Sequence, residues 1–191
     1  TNSPAGGLYA WGFQAELGSY ATSYIPTSGS AVTRAAETCL GSGNDQVINS
    51  TEGVLFAEIA SLANVVTSNY ISLSDGTYNN RISIMFSTGT NVIRVFLRLG
   101  GNSQFDADTT SHDITNFNKI AIKYKQNNFA MWVNGTKVAT GTSGSTIGAG
   151  VLTKLSFSEI ATSGGALNGK CKQLKVYNKA LTDSELKTLT T

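Results

Sequence analysis

Hydrophobic and polar residues alternate along much of the chain, and the alternation is clearest in its middle third. A period of two runs through residues 119–125 and resumes at residues 129–133 after a short polar turn. Asn134-Gly135 follows, a pair that tolerates positive φ at both centres of a type I′ turn, and residues 137–139 then continue as another strand. This stretch therefore predicts a three-stranded antiparallel meander.

The same period predicts further strands on both sides of the meander. They are expected at residues 31–40, 51–60, 70–73, 81–87, 92–99, 152–160 and 170–177. In two of these strands the aliphatic positions fall on one face, while Arg81, Arg94 and Arg98 fall on the other. We expect the aliphatic face to point into a core and the arginine-bearing face to point outward.

The remaining segments carry loop and helix signals. Residues 100–118 are rich in Asp, Thr and Ser and predict a loop. Near the C-terminus, Thr182 and Glu185 form a capping box, and Leu181 and Leu186 have the spacing of a hydrophobic staple. These residues predict a short C-terminal helix, which we expect to seal one end of the fold.

Composition favours an all-β domain with a well-buried core. The chain has 191 residues, with 20 Gly, only 2 Pro and 14% charged residues. A formal net charge of +2 is too small to predict binding to nucleic acid or to an acidic membrane surface. Because no apolar run reaches the length of a membrane span, we predict no membrane insertion.

Two stretches of the sequence resemble a known family. The run IAIKYKQNNFAMWVNGTKV resembles the central meander of laminin-G-like, concanavalin A-type lectin/glucanase domains, and the run GALNGKCKQLKVYNKALTDSELKTL resembles their closing strand and helix. The resemblance implies an all-β fold over residues 31–191: an antiparallel β-sandwich of the concanavalin A-like jelly-roll kind with a short C-terminal helix.

The first 30 residues differ from the rest of the chain. They include a Ser/Thr/Gly stretch with Pro26 that is unsuited to a central strand. The sequence of these residues is similar to a junction found in bacteriophage tail and adhesin proteins. The resemblance implies that residues 1–30 are a linker or the terminal strand of a preceding module. On that interpretation Trp11 lies on a docking strand; the alternative is that it packs on this domain's own sheet.

The same pattern of residues argues against enzymatic chemistry. Retaining glycosidases need two carboxyl groups about 5–5.5 Å apart, which this fold usually delivers from alternate positions of one strand. Glu58 and Glu159 lie on predicted strands but have no acidic partner at i+2, and the family's Glu-x-Asp-x-x-Glu signature is absent. We therefore predict that the chain is not an enzyme, with a glycan-degrading activity as the lesser alternative.

The sequence gives only weaker indications of a metal site and of a disulfide bond. Asp106, Asp108 and Asp113 could supply hard oxygen ligands to calcium, although an acidic loop is usually just solvated. Cys39 and Cys171 are interpreted as two small buried hydrophobic residues, with a disulfide between the first and last strands as the alternative that the resemblance leaves open.

The family resemblance implies that sugar meets the sheet face that points away from the core. Aromatic rings can stack on pyranose rings, and arginine can donate paired hydrogen bonds to hydroxyl groups or carboxylates. The outward positions include one lysine, three arginines and three aromatic residues: Tyr70, Arg81, Arg94, Phe96, Arg98, Lys123 and Trp132. Rim residues such as Tyr78, Asn79 and Asn80 compete for the same role.

These observations predict a non-catalytic carbohydrate-binding module. Its expected ligand is a poly- or oligosaccharide, and the basic residues suit an acidic one. The phage and adhesin resemblance implies an extracellular or virion tail location and a receptor-binding role, with a fibre oligomer as an expected assembly. The alternative is a structural spacer domain that binds no glycan.

Overall fold

The computed structural model describes residues 12–13, 24–30, 32, 42–160 and 165–191. The chain divides into two compact units, Thr1–Thr38 and Cys39–Thr191. Trp11, Cys39 and, apart from Val32, the strand expected at residues 31–40 lie outside the described residues. The module boundary after residue 30 stays a prediction, and the strands and helix below all lie in the second unit.

Ten strands and one helix make up the described part of the second unit. They are β1 (Glu52–Ser61), β2 (Asn69–Ser74), β3 (Arg81–Phe86), β4 (Ile93–Leu99), β5 (Asn102–Thr109), β6 (Asn118–Lys125), β7 (Phe129–Val133), β8 (Thr136–Gly141), β9 (Lys154–Ser156), β10 (Gly169–Tyr177) and α1 (Asp183–Thr190). They form two five-stranded antiparallel sheets, ordered β10-β1-β6-β7-β8 (the first sheet) and β5-β4-β3-β2-β9 (the second sheet). The predicted antiparallel β-sandwich is confirmed.

The core lies between the two sheets and follows the alternation along each strand. Aliphatic and aromatic side chains from the facing strands form one cluster of buried residues. Leu55 and Ile59 of β1 contribute from the first sheet, and Ile82, Ile84 and Phe86 of β3 contribute from the second. Since every second residue of a strand points to the same face, burying these positions determines which residues face outward.

The meander β6-β7-β8 forms as its pattern predicts. Asn134 and Gly135 join β7 to β8 with φ of 48° and 79°, the left-handed values that a type I′ turn needs. The Asn134 side chain also accepts a hydrogen bond from the Lys119 backbone N–H at 2.9 Å, which fixes the turn against the start of β6.

The expectation of a loop at residues 100–118 is wrong over its first half, because strand β5 occupies residues 102–109. Gly100 and Gly101, with φ of 57° and 80°, close a tight hairpin between β4 and β5. Strand β5 carries few apolar residues because it is an edge strand, and Phe105 is its one buried position. The strand expected at residues 152–160 is shorter than predicted and is limited to β9.

Helix α1 begins as the capping box predicts. The Glu185 backbone N–H donates to Thr182 Oγ1 at 3.3 Å, and the Thr182 N–H donates to Glu185 Oε2 at 2.8 Å. The expectation that this helix seals one end of the sandwich is wrong. Helix α1 lies over the outer face of the first sheet, where it contacts β6, β7 and β8. Within the described ranges, no helix is long and apolar enough to cross a membrane.

Candidate functional site

Arginine and aromatic side chains come together on the outer face of the second sheet. Strand pairing places Arg81 opposite Arg98, and Met85 opposite both Tyr70 and Arg94. Because these positions alternate with the core residues of the same strands, their side chains point away from the core. We call the group the arginine–aromatic face; it consists of Tyr70, Arg81, Arg94, Phe96 and Arg98.

Phe96 occupies the centre of this face and is 3% exposed. The guanidinium carbons of Arg81, Arg98 and Arg94 lie 5.1, 5.2 and 5.9 Å from its ring centroid. The Tyr70 ring meets it edge-on, with centroids 6.3 Å apart. These distances are in the range of cation–π and aromatic contacts. Since neighbouring side chains cover the ring, Phe96 positions the arginines and does not itself offer a stacking surface.

Asp106 of β5 lies opposite Phe96 and bridges two of the arginines. Its Oδ1 accepts from Arg94 Nε at 2.7 Å, and its Oδ2 accepts from Arg94 Nη2 at 2.6 Å and from Arg98 Nη2 at 3.0 Å. The Arg94 contact is a bidentate fork, the strongest geometry for such a pair. This hydrogen bonding, opposed in part by desolvation, raises the pKa of Arg94.

Arg81 is held by a second set of acceptors. Its Nη2 donates to Glu159 Oε1 at 3.0 Å, and its Nη1 donates to the backbone carbonyl of Tyr78. Arg81 Nε and the neighbouring Ser83 Oγ are buried, and neither has a hydrogen-bond partner among the described residues. Arg81 is therefore fixed in place beneath the surface of the face.

The two ion-pair systems differ in accessibility. The side chains of Arg81 and Glu159 are 12% and 19% exposed, whereas those of Arg94, Arg98 and Asp106 are 35%, 23% and 28% exposed. Hydrogen bonds to Asp106 use one N–H of Arg98 and the Nε and Nη2 groups of Arg94, so other guanidinium N–H groups remain for a ligand. Of the three arginines, those that can contact a ligand are therefore Arg94 and Arg98 on β4, and the partly buried Tyr70 of β2 is the aromatic residue that keeps some exposure.

Trp132 and Lys123 do not share this face. Both point outward from the first sheet, where Trp132 is 5% exposed and Lys123 is 7% exposed. Trp132 packs beneath α1 in a second apolar cluster, whose other members are Val54, Phe56, Ala121, Ala130, Leu181 and Leu186. Lys123 lies 3.7 Å from Asp183 at the start of α1. The expectation that one face carries all seven predicted residues is wrong, because these two belong to the other sheet and are covered by the helix.

The acidic residues proposed for calcium do not converge. Asp106 is occupied by the two arginines, and Asp113 accepts from the Thr115 hydroxyl and backbone N–H at 2.7 and 2.9 Å. These hydrogen bonds lower the pKa of Asp113. Asp108 lies across from Arg94 on β5. In the described part of the chain, no group of three or more His, Cys, Asp or Glu side chains could hold a metal ion.

Other candidate residues have structural roles. Asn80 Oδ1 accepts from the Gly100 N–H at 3.0 Å, and Asn79 O accepts from the Gly101 N–H at 2.9 Å, so this rim loop supports the β4–β5 hairpin.

Cys171 is a free thiol and is exposed on β10, so its interpretation as a buried hydrophobic residue is wrong.

Two residues of the site have roles that the sequence does not indicate. The sequence predicts Asp106 in a loop, as a candidate calcium ligand, because β5 has little apolar alternation, and it presents Glu159 only as a candidate catalytic acid. The adjacent glycines 100 and 101 were a usable signal, since two glycines after an apolar strand favour a tight hairpin. Such a hairpin would have placed Asp106 beside β4.

The fold is similar to that of known carbohydrate-related domains. The CBM40 carbohydrate-binding module of Ruminococcus gnavus IT-sialidase, bound to α2,3-sialyllactose, matches with a TM-score of 0.64 and 17% identity over 82% of this chain and 96% of that chain. The leech intramolecular trans-sialidase matches with a TM-score of 0.61 and 20% identity over 81% of this chain and 26% of that chain. Domain 4 of AbnA, an extracellular arabinanase from Geobacillus stearothermophilus in complex with arabinotriose, matches with a TM-score of 0.59 and 15% identity over 78% of this chain and 70% of that chain.

At these identities the likeness is one of fold, and no curated protein shows significant sequence similarity to the chain. The family model Laminin_G_3, of the concanavalin A-like lectin/glucanases superfamily, matches residues 58–187 and so covers more than half of the sequence. The chain is therefore a member of this family.

Proposed function

We propose that the chain is a non-catalytic carbohydrate-binding module and that its ligand contacts the arginine–aromatic face. The observation that carries the proposal is the cluster of three guanidinium groups around Phe96, two of which are partly exposed beside Asp106. Each sugar hydroxyl can both donate and accept a hydrogen bond. Arginine N–H groups next to a carboxylate offer both partners at neighbouring positions.

The domains that share this fold support the same proposal. One of them is described in complex with sialyllactose and another in complex with arabinotriose. Tyr70, which is only partly buried, is the aromatic residue of the face that retains surface for a sugar ring. Trp132, the aromatic residue that the sequence favoured, has no part in the proposal because α1 covers it.

A glycan-array screen of the protein, followed by titration calorimetry on each hit, tests the proposal. The test variant is Arg98→Ala and the matched control is Lys175→Ala. Each removes one positive charge that lies over a phenylalanine ring, at 5.2 Å from Phe96 and 5.5 Å from Phe56, but on opposite sheets. We expect the first variant to lose affinity by about tenfold or more and the second to bind normally.

Loss of binding in both variants, or in Lys175→Ala alone, contradicts the assignment of the face. A second titration with a chelator tests for calcium. We expect no change, because two of the three candidate aspartates, Asp106 and Asp113, already have hydrogen-bond partners. Failure of the wild-type protein to bind any glycan on a broad array contradicts the proposed function itself.

A structural spacer is the second candidate, and one observation favours it. The arginines of the face already have protein partners in Asp106, Glu159 and the Tyr78 carbonyl. Such a surface is stable without a ligand. The array distinguishes the two functions, since a spacer binds no glycan in any variant.

The proposal contains no catalytic step. Glu58 lies 3.5 Å from Lys172, and Glu159 lies 3.0 Å from Arg81, so each of these acids has a basic partner. We retain an extracellular location as part of the proposal, because one similar domain belongs to an enzyme described as extracellular. The placement in a virion tail, the receptor-binding role and the fibre oligomer rest on the sequence resemblance alone.

A further inference from the structure

The charge of the arginine–aromatic face is internally balanced. Its three arginines lie against Asp106 and Glu159, and the charge of Asp108 also acts on Arg94. The sequence suggested an acidic ligand because it shows the arginines without their partners. In the folded chain, three acidic side chains accompany the three basic ones.

Asp106 is the member of this set that a ligand would meet first. Its carboxylate lies between Arg94 and Arg98, where the carboxylate of an acidic sugar would otherwise bind. It is 28% exposed, whereas Glu159 is 19% exposed and pairs with the more deeply buried Arg81. An incoming carboxylate must therefore displace Asp106 or bind next to it.

Either route disfavours an acidic ligand. Displacing Asp106 breaks a bidentate contact with Arg94, and binding beside it places two like charges in proximity. An uncharged sugar meets neither difficulty. Its hydroxyls can accept from the remaining N–H groups of Arg98 and donate to Asp106, whose carboxylate has about four acceptor positions, three of which the arginines use.

We infer that Asp106 determines the charge selectivity of the face, so that the module binds uncharged saccharides in preference to carboxylated ones. This inference rests on the proposed function and specifies its ligand class. It makes Asp106 a specificity-determining residue that would contact the ligand directly. The preference for neutral sugars then comes from this chain's own ion pair rather than from its fold.

The test compares wild type with Asp106→Asn and uses Asp45→Asn as the control. Both substitutions remove one negative charge and keep the side-chain shape, but Asp45 lies in an exposed turn on the segment before β1. Affinities are measured by calorimetry for matched neutral and carboxylated ligands: lactose against 3′-sialyllactose, and oligoglucose against oligoglucuronate. Urea unfolding of each variant verifies that the fold is retained.

We expect wild type to bind the neutral member of at least one pair more tightly. Asp106→Asn should raise affinity for the carboxylated member on the order of tenfold, while Asp45→Asn changes neither member. If wild type prefers the carboxylated member, or if Asp106→Asn weakens binding of both members equally, glycan binding stands and the inference is overturned. If neither wild type nor Asp106→Asn binds any glycan, the proposed function is contradicted, and so is the inference that rests on it.

Discussion

The two sheets of the sandwich differ on the faces that point away from the core. On the first sheet, the outward residues include Val54, Phe56 and Trp132. They are covered by Leu186 of α1 and by Leu181, which lies just before the helix. On the second sheet, the outward residues include arginines, serines and a central phenylalanine, and ion pairs hold them in place. An apolar outer face needs a cover, whereas an arginine-rich one can remain in partial contact with solvent.

Under the proposed function, this difference gives the two sheets separate roles: the outer face of the first contributes to stability, and that of the second binds the ligand. The inner strands β1, β6 and β7 of the first sheet are buried on both faces, and β1 and β7 are nearly continuous apolar runs. On the outer face of β3 and β4, arginines and a serine lie beside the buried apolar residues Met85 and Phe96. Because the side chains of Arg94 and Arg98 stay 35% and 23% exposed, this face can carry ligand-contacting residues. We therefore expect substitutions on the first sheet to affect stability and those on the second to affect binding.

The largest expected effect is that of Trp132→Ala. The substitution removes a side chain that is 5% exposed and packed beneath α1, and such truncations cost about 3–5 kcal/mol. Urea unfolding followed by circular dichroism measures the loss, and we expect glycan affinity of the folded fraction to be unchanged. Trp132→Phe is the control and should cost less. A folded Trp132→Ala protein of wild-type stability that loses glycan binding would contradict the comparison.

A smaller effect is expected from removing the cap of α1. Thr182→Ala deletes the hydroxyl that accepts from the Glu185 N–H and should cost about 1 kcal/mol, measured by the urea midpoint. Thr188→Ala, at an exposed position of the same helix, is the matched control and should not destabilise, because Ala has the higher helix propensity. Equal losses in both variants would argue against the capping box as the cause.

Low pH should destabilise helix α1 on the outer face of the first sheet. A hydrogen bond from Lys137, opposed by partial desolvation, lowers the pKa of Asp183 below 3.8, and hydrogen bonds from Thr182 lower that of Glu185 below 4.5. A carboxyl whose pKa is lower in the folded state stabilises the fold above its unfolded pKa and loses this contribution as pH falls through the folded pKa. We expect amide hydrogen exchange in α1 to gain protection between pH 3 and pH 5, after correction for the intrinsic rate. Protection that is constant over this range would contradict the expectation.

The smallest expected effect on stability comes from the second sheet. Arg98→Ala removes one hydrogen bond to Asp106 at a partly exposed site and should cost about 0.2–1 kcal/mol in urea unfolding. The same variant should lose glycan affinity. A loss of stability as large as that of Trp132→Ala would mean that the arginines serve the fold, and it would favour the spacer function.

Much of the fold is visible in the sequence because alternation directly encodes which residues face the core. The meander, the capping box and the inward positions of β3 and β4 all follow from local spacing. Strand β5 was missed because an edge strand needs few buried residues, and only Phe105 marks it. Without β5, the sequence presents Asp106 as a loop residue and does not show that its carboxylate pairs with Arg94 and Arg98.

The position of α1 shows a second kind of limit. The sequence identifies the helix but not the surface on which it packs, because that depends on the arrangement of strands far apart in the chain. One signal was present: β1 is apolar on both faces, which implies that something covers its outer side. Combined with the apolar residues Leu181 and Leu186, this signal would have predicted that Trp132 lies beneath the helix rather than on a ligand-binding surface.

The most direct test of the binding face is nuclear magnetic resonance with a bound saccharide. The Nε–H signals of Arg94 and Arg98 report on the second sheet, and the indole N–H signal of Trp132 reports on the first. On titration with a glycan identified by the array, we expect the arginine signals to shift with ligand concentration while the Trp132 signal stays unchanged. A shift of the Trp132 indole signal with no change in the arginine signals would contradict the account and return the site to the face beneath α1.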